Sequence, residues 1–110
     1  MQGQMPMQGG AQMPMMRMMG GMAPTQSAQG YMNAMRQMMQ QMTAMEMTGD
    51  ADTDFAKAMI PHHQAAVAMA QIELKNGKDE GLKKMAQAMI DAQQREIDEL
   101  QKWLAAHGKK

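Results

Sequence analysis

Residues 54–76 read DFAKAMIPHHQAAVAMAQIELKN, and this stretch decides the fold. Its apolar side chains recur at helical spacing, at Phe55, Met59, Val67, Met69, Ile72 and Leu74. Asn76 and Gly77 then provide a helix stop. We therefore predict a helix over about residues 54–75. Pro61 lies inside this helix and should distort it locally, because proline removes a backbone donor and bends a helix.

A second helix is predicted before this stretch, over about residues 28–47. The segment contains no proline, and its methionines recur at spacings of three and four residues, at Met35, Met38, Met42 and Met45. Thr48, Gly49 and Asp50 signal the end of this helix, after which Asp52 or Thr53 would cap the next one.

A third helix is predicted over about residues 79–106. Apolar residues from Leu82 to Leu104 fall on one broad stripe, and Gly108 lies beyond its end. Helices joined by short connections pack against each other in antiparallel order. The sequence therefore predicts an all-α protein with three long helices, which form an antiparallel helical bundle domain over residues 28–107.

Residues 1–27 are predicted to form a flexible tail rich in Met, Gln, Gly and Pro. Its methionines cluster, as in Met5 with Met7 and Met18 with Met19, so a flexible chain could wrap several sulfurs around one ion. The alternative is a linker whose methionines have no role. Because methionine packs without fixing a unique core, we expect a second copy of the chain or a fourth segment from the tail to complete the bundle.

Composition excludes several classes of function. The chain has 110 residues, with 11 basic and 11 acidic side chains, so its net charge favours neither nucleic acid nor an anionic membrane. It contains no cysteine, which removes disulfides, zinc-thiolate sites, iron–sulfur clusters and thiol nucleophiles. No apolar run approaches the roughly 20 residues that span a bilayer, so we expect no membrane insertion. The 20 methionines instead offer thioether sulfur, which suits Cu(I) or Ag(I) better than Zn(II), Mg(II) or Ca(II).

The segment from Met59 to Met69 adds two imidazoles to these sulfurs. On a helix Met59, His62 and Met69 share one face, whereas His63 lies about 100° away. Imidazole suits Cu(II) and thioether suits Cu(I), so a mixed site would accept copper in both oxidation states. The candidate metal ligands are His62, His63, Met59, Met69, Met85, Met89, Met38 and Met42.

Antiparallel packing predicts what faces the imidazoles. A turn centred near Gly77 would place Met69 opposite Met85, and His62 opposite Ala92 with Met89 and Glu96 within a turn. A turn near Gly49 or Asp50 would bring His62 to the region of Met38. The core would then hold a ladder of sulfurs and imidazoles.

Other interpretations of the same residues stay open. A methionine stripe at helical spacing is often only core, and a histidine pair beside a proline is often structural or exposed. Asp54 and Glu96 are candidate oxygen ligands for Cu(II), or partners that orient an imidazole. His107 fits a cation at a helix end, where the macrodipole favours positive charge.

The run from Asp54 to Ala70, with its MIPHHQ core, resembles the domain-of-unknown-function family numbered 305. The later run from Ile90 to Leu104 does so too, and the resemblance covers about residues 52–105. It implies a ferritin-like bundle in an exported bacterial protein associated with copper binding and copper resistance. It also implies metal-binding roles for four of the candidate ligands: His62, His63, Met59 and Met69. The protein would then be periplasmic, and this sequence, which lacks a signal peptide, would be its mature form.

These observations lead to one functional hypothesis and two alternatives. We expect a protein that sequesters or transfers Cu(I) and Cu(II), with silver as a chemically similar ion. Its partners would be metal ions, a second copy of the chain and a periplasmic partner that receives copper. We do not expect an enzyme, because a di-metal oxidase needs Glu-x-x-His pairs and the sequence has none. A methionine-rich module that grips amphipathic helices without metal is the other alternative.

Overall fold

The protein is described by a computed structural model over residues 25–107. It contains three helices, α1 (Gln26–Ala44), α2 (Ala51–Asn76) and α3 (Glu80–His107), and no strand in this range. The prediction of an all-α helical bundle is confirmed. None of the three helices is long and apolar enough to cross a bilayer. The methionine clusters of residues 1–24 lie outside the described residues.

The start of α2 differs from the prediction. Asp50 caps the helix, because its side chain accepts hydrogen bonds from the Thr53 backbone N (2.9 Å) and the Thr53 hydroxyl (2.7 Å). The helix therefore begins at Ala51, before the predicted start near residue 54, and Asp52 and Thr53 lie inside it. It then continues through Pro61 to Asn76.

The bounds of α1 also shift towards the N-terminus. Thr25 caps α1 by accepting a hydrogen bond from the Ala28 backbone N at 3.1 Å. The helix ends at Ala44, because Met45 adopts an extended conformation with φ −70° and ψ 136°. Residues 45–47, which we predicted to be helical, therefore belong to the connector between α1 and α2.

Asp54 holds this connector in place from the first turn of α2. Its carboxylate accepts hydrogen bonds from the Thr48 backbone N (2.8 Å), the Thr48 hydroxyl (2.9 Å) and the Gly49 backbone N (3.1 Å). The Thr48 backbone bond is the main cause that lowers the pKa of Asp54, and the other two bonds act in the same direction. Gly49 has a φ of 92°, a conformation that favours glycine.

The two flanking helices pack on opposite sides of α2. One side of α2 meets α1 through Pro61, Ala65 and Ile72, and the other meets α3 through Ala56 and His63. At about 100° per residue these two sets lie nearly opposite each other on the helix. Within residues 25–107, no part of α1 approaches α3 closely enough to pack against it. The three helices therefore form a single antiparallel layer with α2 in the middle.

The core of this layer is made of small side chains. Its buried apolar residues are Ala34, Ala56, Ala65, Val67, Ala70 and Ala86. We expected methionine sulfurs and imidazoles to fill the core, and this expectation was wrong. Alanine lets helix backbones approach closely, and methionine, being longer and flexible, is left to cover the outside of the layer.

Most large apolar side chains outside this core lie on one face of the layer. Helical geometry and the antiparallel order place six of them on that face, each 45–61% exposed: Met35, Met39, Phe55, Leu82, Met85 and Met89. The exposed ring of His62 points to the same side, near the middle of α2. We call the surface formed by these seven residues the methionine face.

Candidate metal site

His63 connects α2 to α3 through its ring. Its Nε2 lies 2.7 Å from Glu96 Oε1, and its side chain is 16% exposed against 51% for Glu96. A neutral imidazole that donates Nε2–H to the carboxylate carries its lone pair on Nδ1. That Nδ1 is buried and has no hydrogen-bond partner among the described protein atoms. The arrangement fits a metal-binding histidine, whose second nitrogen commonly bonds a carboxylate.

Beside His63 lies a groove of about 630 Å³ between α2 and α3. Met59, one helical turn before His63, lines it together with Phe55 and Trp103, so thioether and aromatic groups form much of its wall. Three carboxylates are part of the same wall: Asp52, Glu96 and Glu99. One imidazole, one thioether and three carboxylates therefore line the same groove, although within residues 25–107 the His, Asp and Glu side chains do not converge on one point.

His62 has a different environment from His63. It is exposed, it does not line the groove beside His63, and its ring centroid lies 6.1 Å from that of His63 at an angle of 57°. The two rings can therefore serve different sites, or His62 can approach an ion held at His63 from the outside.

The register between α2 and α3 differs from the predicted one. The bond between His63 and Glu96 places Met69 at the level of Ile90, rather than opposite Met85. The predicted turn centre at Gly77 was too early, because Asp79 caps α3 and moves the centre of the connection towards it.

In this register the sulfurs of three candidate ligands face the same side of the layer. Met69 and Met89 lie at neighbouring levels of α2 and α3, and Met85 lies one turn from Met89. Met85 and Met89 are 59% and 49% exposed, so both are open to solvent. We call Met69, Met85 and Met89 the sulfur group, and His62, His63 and Met59 the imidazole group.

The last two candidate ligands lie on α1. Met38 lines a second groove, of about 320 Å³, with Pro61, Gln64 and Ala65 of α2. This groove lies on the opposite side of α2 from His63, so the structure does not bring Met38 to the imidazole group. Met42 is half-buried one turn further along α1.

Within residues 25–107, no three His, Asp or Glu side chains converge to hold a metal ion. A site in this part of the chain would therefore need thioether ligands as well. Asp54 already accepts three hydrogen bonds from the connector, so its carboxylate has a structural role there. His107 stacks on Trp103, with centroids 4.5 Å apart, at the C-terminal end of α3.

Comparison with known families adds one result. The family described as "Domain of unknown function (DUF305)" matches residues 1–104. The chain belongs to the DUF305 family. The match extends well beyond residues 52–105, where the motifs lie, and includes α1. No curated protein matches the chain.

Two features of the site were absent from the sequence interpretation. Phe55 was treated only as an apolar position of its helix, and Trp103 was not considered as part of a site. Gln93 was not considered, yet its Oε1 is a second buried atom without a hydrogen-bond partner among the described residues. Gln93 lies about one turn before Glu96. With the correct register between α2 and α3, helical geometry would have placed it on the side of α3 that faces α2.

Proposed function

We propose that this DUF305 protein binds copper, in the Cu(I) and Cu(II) states, and sequesters or transfers it as part of copper resistance or homeostasis. The main support is the ring of His63, which bonds Glu96 through Nε2, keeps a buried Nδ1 without a partner among the described residues, and belongs to a residue that lines the same groove as Met59. An unsatisfied buried polar atom costs about 1–3 kcal/mol, and a metal ion on Nδ1 would remove that cost.

In this proposal the imidazole group binds Cu(II) and the sulfur group binds Cu(I). Imidazole nitrogen suits Cu(II), and thioether sulfur suits Cu(I) and resists loss by thiol oxidation. His63 and Met69 are six residues apart on α2, or about 9 Å along the helix. This spacing supports two neighbouring sites on one side of the layer, each selective for one oxidation state.

Exposure of the donors supports exchange rather than permanent storage. In a single copy of the chain Met85 and Met89 are about half exposed, and His62 is exposed, so an ion could reach or leave them there without opening the layer. No catalytic step is required. We place the protein in the periplasm, because a thioether site without cysteine suits an oxidising compartment.

The test is a titration of the full chain with Cu(I) and with Cu(II) against competing chelators, with Zn(II) as control and mass spectrometry to count bound ions. Replacing His62 and His63 with Ala should weaken Cu(II) binding far more than Cu(I) binding. Replacing Met69, Met85 and Met89 with Leu, which costs little packing energy, should instead remove bound Cu(I) ions.

Two variants serve as matched controls. His107→Ala removes an imidazole outside the imidazole group, and Met35→Leu with Met47→Leu removes exposed thioethers outside the sulfur group. If the histidine variant lost affinity for Cu(I) and Cu(II) equally, the assignment of Cu(II) to the imidazole group and Cu(I) to the sulfur group would be wrong. No binding beyond that of Zn(II) would reject the copper function.

The second candidate function is a metal-independent module that binds amphipathic helices. The open methionine face favours it, because flexible methionine surfaces accommodate many partners. It predicts partner binding that survives chelators and the histidine variant, and it leaves the bond between His63 and Glu96 without a functional role.

A further inference from the structure

The methionine face exposes large apolar side chains of the kind that proteins normally cover with another surface. In residues 25–107 the only large apolar side chain of comparable exposure outside it is Met47, in the connector between α1 and α2. Soluble monomers rarely expose contiguous apolar patches of this kind, and such patches commonly mark interaction sites.

The chemistry of the face matches the centre of a protein interface. Such centres are enriched in aromatic residues and methionine and depleted in charge. The methionines of α1 on this side are uninterrupted by charge, because Arg36 is the only charged residue of α1 and is bonded to Asn33 on the other side, at 2.7 Å. On α2 and α3 the face carries Phe55 and the exposed thioethers of Met85 and Met89, and three carboxylates line the groove beside Phe55: Asp52, Glu96 and Glu99.

The face is also large enough for a stable contact. The 26 residues of α2 give a length of about 39 Å, and three helices spaced 8–10 Å apart give a width of roughly 25 Å. One whole side of the layer therefore covers at most on the order of 1,000 Å², which leaves room for the roughly 800 Å² that each partner contributes to a standard interface.

We propose that the methionine face docks against the same face of a second copy of this chain. One layer with an alanine core leaves its larger side chains exposed, and two such layers face to face would form the two-layer arrangement that domains normally need. A contact between identical copies uses the same surface on both. This inference does not rest on copper binding.

The geometry also fixes what lies at the centre. A two-fold axis that passes through the centre of the layer, so that the two layers overlap fully, lays α2 against α2 of the other copy. His62 is near the middle of α2, so the two exposed imidazoles would lie close to the centre of the interface.

Sedimentation of the full chain from micromolar to millimolar concentration tests the proposal, in chelator so that metal plays no part. We expect a reversible dimer. Trp103, the only tryptophan and part of the groove wall beside Phe55, should shift its emission to the blue over the same concentration range as the mass doubles.

The decisive variant is Met39→Glu with Leu82→Glu, which places one carboxylate on each flanking helix and leaves all candidate metal ligands intact. Both side chains are exposed in the single layer, at 60% and 53%, so helicity by circular dichroism should be retained. The dimer Kd should rise about a hundredfold or more, because the contact would bury four unpaired carboxylates, two from each copy.

The matched control is Gln40→Glu with Gln94→Glu, which adds the same charges at exposed positions on the other side of α1 and α3. This variant should remain a dimer. Equal weakening in the two variants would overturn the assignment of the face. A wild-type chain that stays monomeric with constant Trp103 emission would overturn the dimer itself, whatever the helicity of the variants, and would leave residues 1–24 or another protein to cover the face.

Discussion

The two sides of α2 are built on different chemistry. Towards α1 the contact is close, since a Cβ placed on Gly30 would lie only 2.8 Å from Ile72 Cδ1. Towards α3 the helices leave a groove of about 630 Å³, and His63 reaches Glu96 across the gap between them. The comparison teaches that one helix can be held by small-residue packing on one side while the other side keeps a groove and a buried ring nitrogen without a hydrogen-bond partner among the described residues.

The largest expected effect tests the close side. Gly30→Leu should lower the free energy of unfolding by about 1–3 kcal/mol, because the new side chain overpacks the contact with Ile72. Gly30→Ala should change it by less than about 1 kcal/mol, since the gain in helix propensity offsets a small movement of the Ile72 terminus. Urea unfolding followed by circular dichroism measures both. If Gly30→Leu also weakened Cu(II) binding, the two sides of α2 would not be independent, and the contrast between them would be wrong.

The next effect tests the open side. Glu96→Gln should weaken Cu(II) binding tenfold to a hundredfold and change Cu(I) binding little, because the carboxylate that orients His63 is lost while the sulfurs remain. Chelator competition gives both affinities. Glu99→Gln is the matched control, since it removes the same charge from the same groove without touching a bond to His63. A similar loss in both variants would mean that only the charge of the groove matters.

The smallest effect concerns the connector between α1 and α2. The hydrogen bonds from Thr48 and Gly49 lower the pKa of Asp54 in the folded protein. The stability they contribute is therefore present above the ordinary carboxyl pKa of about 3.9 and is lost as pH falls through the lower, folded pKa. Asp54→Asn should make the melting temperature less sensitive to acid, whereas Asp98→Asn should not. An unchanged acid profile in Asp54→Asn would show that the connector does not depend on this charge.

Much of the fold follows from local sequence. The methionine spacing of α1 and the apolar spacing of α2 gave helices that the structure contains, because periodicity is a property of each segment alone. The exact ends did not follow. Asp50, Asp52 and Thr53 are all good capping residues, and only the bonds from the Asp50 side chain to Thr53 decide among them.

The site depended on packing that no single segment contains. Pairing His63 with Glu96 requires the register between α2 and α3, and an error of a few residues in the turn centre moves every facing pair. Glu96 was considered as a partner that orients an imidazole, and the structure gives it a bond to His63. The methionines were expected inside because they are apolar, yet alanine occupies the contact positions, and this choice of residue size cannot be read from hydrophobicity alone.

The alanine core also bears on how the protein responds to temperature. Ala56 is 3% exposed, but its methyl group removes little apolar area from water, and the same holds for the other alanines between the helices. The heat-capacity change of unfolding scales with that area. We therefore expect a single copy of the chain to have a shallow stability curve, in which the free energy of unfolding varies gently from cold to warm.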